Sequence, residues 1–212
     1  MTPHTHLSWF QAMLNNPKLV RQLKEITLII TDVDGSLTDG TVHYDANGEA
    51  DRMYSPQDGF GLRMAMDNGI KVAFLSGNAG SSIVSRARKL RIPDALIILG
   101  AHDKRIAVKS LQTIAGVSSH QTIIFGDDYL DAAVKEYDPG VVFAMPANGI
   151  FYLHSLADCV LPAAAGAGSA LRLMLDLILY VQGKHFAQHL IRKALETSHE
   201  KKLTTSPLTD GE

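Results

Sequence analysis

The chain has 212 residues, of which 46% are hydrophobic and 20% are charged, and its formal net charge is -2. This length suffices for one α/β domain or for two small domains, and the composition is typical of a soluble globular protein. The near-neutral charge provides no broad positive field for nucleic acid. The single cysteine, Cys159, excludes an internal disulfide and fits a reducing cytoplasm, where we expect the protein to reside. The most apolar late stretch, residues 171–181, is too short for a membrane span, so we expect no membrane association.

The N-terminal part of the chain predicts a helical arm followed by a buried strand. Residues 1–25 are loosely amphipathic and predict one or two short helices. Residues 26–30 form a continuous apolar, β-branched run, which is typical of a central strand that is buried on both faces. Asn47-Gly48 then separates the strand-like residues 41–44 from residues 50–54. This pair is a strong turn signal, so we predict a β-hairpin after the first strand.

After the hairpin, predicted helices and strands alternate regularly. Asp58 is the expected N-cap of the first of these helices and Gly69 its stop signal. The helices are predicted over residues 58–68, 81–90, 104–115, 129–135 and 169–181, and the strands over residues 70–75, 95–99, 122–125, 140–144 and 159–161. This alternation predicts a Rossmann-like α/β fold, with a central parallel sheet and helices on both faces.

The predicted elements divide the chain into three parts. The arm covers residues 1–25, and the α/β domain covers residues 26–184. Residues 185–212 turn polar and charged, so we expect a helix to about Glu196 and then a disordered tail.

Polar residues follow the predicted strands at their carboxyl ends, which is where open parallel sheets bind ligands. Each group has a structural alternative: turn residues after the first strand, an ordinary loop after the second, a solvated lysine at a helix start, or helix-capping acids. In chain order the residues are Asp32, Asp34, Ser76, Gly77, Asn78, Lys104, Asp127, Asp128 and Asp131. Because the strand ends share one edge of the sheet, we expect these side chains to meet there.

A cluster of this composition favours metal-assisted phosphate chemistry. Unpaired carboxylates placed close together raise one another's pKa values, and a hard divalent cation removes that conflict. Ligation by oxygen alone favours Mg²⁺. The cation and Lys104 would attract a phosphate, and a carboxylate that attacks phosphorus would form an acyl-phosphate that water hydrolyses. The residues therefore predict hydrolysis of a small phosphorylated metabolite.

The order and spacing of these residues resemble the four motifs of the haloacid dehalogenase superfamily. More narrowly, residues 32–40 (DVDGSLTDG), the hairpin with Asn47-Gly48-Glu49, and Asp58-Gly59 with Gly61 and Arg63 resemble its small branch without a cap domain. That branch contains the 3-deoxy-D-manno-octulosonate 8-phosphate phosphatases, which implies a sugar phosphate substrate and lipopolysaccharide biosynthesis. The resemblance also implies a homotetramer, in which the hairpins of four subunits associate and a neighbour's C-terminal segment helps to close the site.

The resemblance implies roles for the motif residues. Asp32 would be the nucleophile and a magnesium ligand. Asp34 would bind magnesium through its main-chain carbonyl and act as general acid and then base, for which its pKa should be raised. Ser76 would hydrogen-bond the phosphoryl oxygens, and Lys104 would neutralise developing charge. Asp127 would ligate magnesium directly.

The remaining implied residues surround this centre. Asp128 and Asp131 would orient the metal ligands or Lys104, with Gly77 beside them. The implied substrate-binding residues are Ser55, Pro56, Gln57, Asp58, Gly59, Arg63, Asn78, Arg86 and Lys104. Arg63 and Arg86 have an alternative interpretation as exposed helix residues.

Three positions depart from the pattern of the branch. Gln57, Asn78 and Ala167 stand where arginine is usual. Arginine binds a carboxylate through two parallel hydrogen bonds, and a 2-keto sugar acid presents such a carboxylate. The sequence therefore leaves three hypotheses: a phosphatase of the octulosonate phosphate or a related sugar phosphate, a phosphatase of a different phosphorylated metabolite, and a non-catalytic scaffold. The complete catalytic motifs count against the scaffold.

Overall fold

A computed structural model describes residues 3–46, 48 and 50–204 of the chain, with side chains described for residues 5–46, 48 and 51–197. The helices are α1 (Pro3–Leu14), α2 (Pro17–Glu25), α3 (Pro56–Asp67), α4 (Ser81–Leu90), α5 (Lys104–Ala115), α6 (Tyr129–Tyr137), α7 (Ala170–Val181) and α8 (Gln188–Thr204). The strands are β1 (Leu28–Thr31), β2 (His43–Tyr44), β3 (Ala50–Asp51), β4 (Lys71–Leu75), β5 (Ile97–Ile98), β6 (Thr122–Phe125), β7 (Val142–Met145) and β8 (Cys159–Val160). Among these described helices, none combines the length and hydropathy needed to cross a membrane.

Six strands form one sheet in the order β5-β4-β1-β6-β7-β8. Every neighbouring pair in this sheet is parallel, with β1 between β4 and β6. All four residues of β1 are buried, as are those of β6 and β7, because helices cover both faces of the sheet. The predicted α/β fold is confirmed, and the carboxyl ends of β1, β4, β6 and β7 lie along one edge.

The N-terminal arm packs into the same core as the sheet. The side chain of Asn16 caps α2 by accepting a hydrogen bond from the Leu19 amide at 3.1 Å. Leu19 and Leu23 are fully buried in the core. The indole Nε1 of Trp9 donates to the carbonyl oxygen of Val160 in β8 at 2.8 Å, which attaches α1 to the edge of the sheet.

The predicted hairpin is present and shorter than expected. His43 pairs with Asp51, and Tyr44 pairs with Ala50, in an antiparallel register. Gly48 has a φ of 78°, a conformation that glycine adopts without strain, and its amide donates to the Asp45 carbonyl oxygen at 3.1 Å. Asn47 and Glu49 of the predicted turn lie outside the described residues.

The predicted start of α3 was wrong. The N-cap is Ser55, whose Oγ accepts hydrogen bonds from the amides of Gln57 and Asp58 at 3.1 and 3.3 Å. Pro56 takes the first helical position, where its fixed φ is already helical and its missing N–H costs nothing. Asp58 therefore lies inside the first turn of α3 and is buried there.

Most of the other predicted elements shift by one or two residues at an end, and two of the differences have a clear structural content. The strand expected over residues 95–99 is reduced to β5, because residues 94–96 form a tight 3₁₀ turn. Helix α8 continues to Thr204 rather than ending near Glu196, so the predicted tail was wrong for residues 197–204. Residues 205–212, the rest of that predicted tail, lie outside the described residues.

Candidate active site

The loop after β1 places Asp32 at the edge of the sheet. The Asp32 amide donates to the Phe125 carbonyl oxygen at 2.9 Å, which extends the pairing of β1 with β6 into the loop. Gly35 in this loop has a φ of 88°. A Cβ atom there would lie 2.1 Å from Oδ2 of Asp127, so only glycine lets the two acidic loops approach this closely.

Lys104, the first residue of α5, connects two of the acidic side chains. Its Nζ lies 2.7 Å from Oδ1 of Asp32 and 2.7 Å from Oδ1 of Asp131. The Lys104 side chain is only 4% exposed. Burial acts to lower its pKa, but the charges of Asp131 and Asp32 outweigh burial and raise the pKa above its ordinary value. Lys104 therefore remains a cation inside the site.

Asp32, Asp127 and Asp131 form a compact group of oxygen donors. One carboxylate oxygen from each lies within 4.8 Å of the others. Burial, followed by repulsion from Asp131, raises the pKa of Asp32 well above its ordinary value, although Lys104 acts in the opposite direction. Burial also raises the pKa of Asp131. The same effect raises the pKa of Asp127 to about 6, against the hydrogen bond from Ser36.

The charges of this group fit a divalent cation. If all three carboxylates are ionised, one lysine ammonium leaves two uncompensated negative charges in a largely buried space. Burying uncompensated charge costs free energy, and the raised pKa values of the three carboxyl groups reflect that cost. Because every donor is oxygen, the set suits magnesium. The contact of Asp131 with Lys104 agrees with the expectation that Asp131 orients Lys104, whereas its place among the oxygen donors was not predicted.

The loop after β6 is held in place from three sides. Ser36 Oγ donates to Oδ1 of Asp127 at 2.9 Å, and the Ile150 amide donates to the Asp127 carbonyl oxygen at 2.9 Å. Asp128 caps α6, since its Oδ1 accepts from the Tyr129 amide at 2.6 Å. Asp131 completes this capping box by accepting from the Asp128 amide at 3.4 Å. The capping interpretation of these acids is therefore confirmed, and both acids also line the same pocket as Asp32.

Asp34 is bound by an arginine that the sequence did not single out. Arg52, next to β3, donates from Nε to Oδ1 of Asp34 at 2.5 Å and from Nη2 to Oδ2 at 2.9 Å. Asn78 donates to the same Oδ2 at 2.7 Å. Burial acts to raise the pKa of Asp34, but the hydrogen bonds from Arg52 and Asn78 outweigh burial and lower the pKa. The prediction that the pKa of Asp34 is raised was wrong, because it left out this ion pair.

One pocket of about 390 Å³ is lined by the predicted catalytic and metal-ligating residues. Ser76 is buried at its wall, and its Oγ accepts a hydrogen bond from the Asn78 amide at 3.0 Å. The lining residues are Asp32, Asp34, Ser76, Gly77, Asn78, Lys104, Asp127, Asp128, Leu130 and Asp131. The structure thus brings together every predicted catalytic and metal-ligating residue.

A second pocket, of about 460 Å³, lies between the start of α3 and the segment before α7. Ser55 Oγ and Ser169 Oγ are 2.8 Å apart and connect the two segments. The lining residues are Met53, Tyr54, Ser55, Pro56, Gln57, Ala167 and Ser169. All of them are uncharged, and they include two of the three positions where arginine was expected.

The other predicted substrate residues lie behind or away from these walls. Asp58 is buried, and its Oδ1 accepts from the Arg172 amide in the first turn of α7 at 2.8 Å. Arg86 donates to the Ser55 carbonyl oxygen at 2.9 Å, and its guanidinium lies where a Cβ at Gly59 would be. Arg63 donates to the carbonyl oxygen of Leu90 at 3.0 Å and lies outside both pockets.

Sequence reasoning missed two polar residues that organise the site. Asn148, after β7, donates to the Gly35 carbonyl oxygen at 3.2 Å and accepts from the Ala165 amide at 2.7 Å. Its position after a strand end was the available signal. Arg52 had no such signal, since it belongs to the hairpin rather than to a strand end of the parallel sheet.

Known proteins resemble this chain in both sequence and fold. The 3-deoxy-D-manno-octulosonate 8-phosphate phosphatase KdsC of Haemophilus influenzae is 42% identical over 164 residues, which are 77% of this chain and 88% of that protein. The cobalt-bound structure of the Haemophilus influenzae phosphatase (YrbI) matches with a TM-score of 0.72 and 40% identity, covering 77% of this chain and 92% of that one. A Moraxella catarrhalis phosphatase in complex with magnesium, phosphate and KDO matches with a TM-score of 0.75 and 27% identity, covering 84% of this chain and 99% of that one. No family model matches the chain.

Proposed function

Because the chain belongs to the KdsC family of haloacid dehalogenase phosphatases, we propose that it hydrolyses 3-deoxy-D-manno-octulosonate 8-phosphate or a closely related sugar phosphate. The observation that carries this proposal is the joint contact of Lys104 Nζ with Asp32 and Asp131, 2.7 Å from each, beside Asp127. This arrangement provides a carboxylate nucleophile, a fixed cation and metal-ligating oxygens in one pocket. It is the chemistry of a phosphoric monoester hydrolase.

The proposed first step is transfer of the phosphoryl group to Asp32. Lys104 binds Oδ1 of Asp32, which leaves Oδ2 to attack phosphorus as the bond from phosphorus to the sugar oxygen breaks. Asp34 gives a proton to the departing sugar oxygen, a step that uses the small protonated fraction of Asp34 left by its lowered pKa. Ser76 and Lys104 donate hydrogen bonds to the phosphoryl oxygens. The products of this step are the free sugar and an aspartyl-phosphate.

The second step returns Asp32 to its starting form. A water molecule attacks phosphorus, Asp34 takes its proton, and the bond from phosphorus to Asp32 breaks to release inorganic phosphate. The ion pair with Arg52 favours the charged form of Asp34, which is the form that this step needs as a base.

Magnesium completes the proposed site. Asp32, Asp127 and Asp131 lie where their carboxylates would hold it, and the main-chain carbonyl of Asp34 remains a proposed ligand. When bound, the ion neutralises the excess negative charge and polarises the phosphoryl group.

The proposal is tested by steady-state turnover with magnesium. The purified chain should release phosphate from 3-deoxy-D-manno-octulosonate 8-phosphate and more slowly from p-nitrophenyl phosphate. Asp32→Asn should abolish both activities, whereas Asp67→Asn, an exposed carboxylate at the end of α3, should leave them unchanged. No turnover by the wild-type chain, or full turnover by Asp32→Asn, would refute the proposed function.

A second candidate function is a phosphatase for a phosphorylated metabolite without a carboxylate. The uncharged lining of the pocket beside Gln57 and Ala167 favours it, because none of the described residues that line this pocket offers a guanidinium to a sugar acid. A panel of neutral sugar phosphates, run beside Gln57→Arg and Asn78→Arg, separates the two candidates. Octulosonate phosphatase activity that is absent from the wild type and appears in the arginine variants would favour the second candidate.

We also propose that the enzyme is a cytoplasmic homotetramer assembled through its hairpins. In this arrangement Tyr44, which is 68% exposed on β2, would be covered by a neighbouring subunit. Such cover would help to exclude water from the aspartyl-phosphate of an enzyme without a cap domain. Light scattering at micromolar concentration tests the proposal, and a monomeric mass would contradict it.

A further inference from the structure

We infer that Arg52 is a positioning residue, which fixes the carboxylate of Asp34 for proton transfer and connects the hairpin to the catalytic loop. The inference rests on the proposed function, because it gives Arg52 a role that acts through Asp34.

The contact between Arg52 and Asp34 fixes an orientation as well as a charge. Two nitrogens of the guanidinium each donate to a different oxygen of the carboxylate, at 2.5 and 2.9 Å. A planar group held at two points cannot rotate about its bond to the chain, whereas one hydrogen bond would leave that rotation open. A proton donor loses efficiency when its oxygen is displaced from the reacting atom, so this restraint bears directly on the proposed step.

The guanidinium of Arg52 is itself held by the first turn of α4 and the glycine before it. Nη1 donates to Ser82 Oγ at 3.1 Å, in the first turn of α4. Gly80 provides the space, because a Cβ there would lie 2.7 Å from Nη1. The Arg52 side chain is 1% exposed and the Asp34 side chain 20% exposed, so the pair is screened by solvent on one side only.

Arg52 therefore joins three segments that are distant in sequence. It lies next to β3, it binds the loop after β1 through Asp34, and it contacts the end of the loop after β4 at Gly80 and the first turn of α4 at Ser82. Asn78, from that same loop after β4, donates to the same Oδ2 of Asp34. A displacement of the hairpin would thus move the proposed acid and base, which gives the hairpin a part in the chemistry of its own subunit.

The test uses leaving groups and a double-mutant cycle. If Arg52 positions Asp34 as an acid, Arg52→Met should lower kcat on the sugar phosphate by about 10- to 100-fold, part of the effect of general acid catalysis, with KM changed less than about threefold. The loss should be smaller on p-nitrophenyl phosphate, because its good leaving group needs little protonation. In an Asp34→Asn background, Arg52→Met should change kcat by less than about twofold.

Two further variants make the outcome independent of folding defects. Gly80→Ala keeps the charge of Arg52 but displaces its guanidinium, and it should reproduce part of the kcat loss with the same dependence on Asp34 and on the leaving group. Arg52→Lys, which keeps one charge and loses the paired contact, should restore less than full activity. The control is Arg105→Met, which removes a two-nitrogen contact with Asp103 that is exposed and far from Asp34 in the chain.

The failures can be told apart. Equal losses on both substrates that add to those of Asp34→Asn would overturn the role of Arg52 while leaving the proposed function intact. A rise in KM alone, confined to acidic sugar phosphates, would show that Arg52 binds the substrate directly. That result would also overturn the inference. Loss of the proposed function would instead appear as unchanged sugar phosphate turnover in Asp34→Asn or Asp32→Asn.

Discussion

Replacing Asp58 by asparagine should make the stability of this protein less dependent on pH. Asp58 is 1% exposed, and its Oδ2 has no hydrogen-bond partner among the described residues. Burial raises its pKa to about 7, although the Arg172 amide and the charges of Arg86 and Arg172 act in the opposite direction. The ordinary value, 3.8, applies to the unfolded chain.

The sign of the effect follows from proton binding. Between these two pKa values the folded state holds a proton that the unfolded state has lost, so stability falls as the pH rises through this range. One pKa unit corresponds to about 1.36 kcal/mol, and the full effect is therefore about 4 kcal/mol, complete above pH 7. Of this, about 2.5 kcal/mol falls between pH 5 and pH 8.

Urea denaturation at pH 5 and at pH 8, with a chelator present, measures the effect. Asparagine keeps an oxygen for the Arg172 amide, and any cost of its buried amino group does not depend on pH. Relative to the wild type, Asp58→Asn should gain about 2.5 kcal/mol between the two pH values, whereas the exposed control Asp67→Asn should change by less than about 0.5 kcal/mol. A difference between Asp58→Asn and wild type that is the same at both pH values would refute the reasoning.

Three further predictions concern the site and the arm. Lys104→Met leaves two buried carboxylates without their ammonium group. We expect kcat to fall by about 10²- to 10³-fold and the free energy of unfolding, in chelator, to fall by about 3–5 kcal/mol. Steady-state kinetics and urea denaturation measure these two losses, and an unchanged kcat would contradict the prediction. Gly35→Ala places a Cβ against Asp127 and strains a backbone with positive φ. The affinity for magnesium, measured by calorimetry, should therefore fall at least about tenfold. An affinity equal to that of the wild type would contradict the close approach of the two loops. Trp9→Phe removes the hydrogen bond to Val160, so the free energy of unfolding should fall by about 1–2 kcal/mol while kcat stays unchanged. Urea denaturation measures this change, and an unchanged free energy of unfolding would mean that the bond does not help to hold the arm.

Much of the fold was predictable because its signals are local. A parallel sheet is indicated by the apolar runs that form β1 and β6 and by the turn and cap residues between the elements. These patterns can be recognised without knowing how the side chains pack. The predicted bounds of α4 and α5 match the structure at both ends. The α3 start was also readable, since Ser55-Pro56 is a stronger start signal than Asp58 alone.

The acidic centre was predictable for a topological reason. Parallel strands deliver their carboxyl ends to one edge, so Asp32, Ser76 and Asp127 had to meet once the strands were assigned. The order of residues along the chain was therefore enough to place Asp32 and Asp127 in one pocket, although it did not indicate that Asp131 joins their group of oxygen donors.

The contacts that tune this centre depend on tertiary structure, and the sequence did not indicate them. Arg52 reaches Asp34 only because the hairpin folds back over the loop after β1, which no periodicity encodes. The environment of Asp58 likewise depends on how α3 and α7 pack together. The raised pKa expected for Asp34 was wrong for this reason: a group's surroundings, rather than its motif, set its protonation.

The most direct test of the proposed chemistry is a crystal structure of the chain grown with magnesium and beryllium fluoride, which mimics a phosphoryl group on a carboxylate. We predict beryllium bonded to a carboxylate oxygen of Asp32 and one magnesium ion ligated by both Asp32 and Asp127, with Lys104 beside the fluorides. Beryllium bonded to another residue, or magnesium that does not contact both carboxylates, would contradict the account.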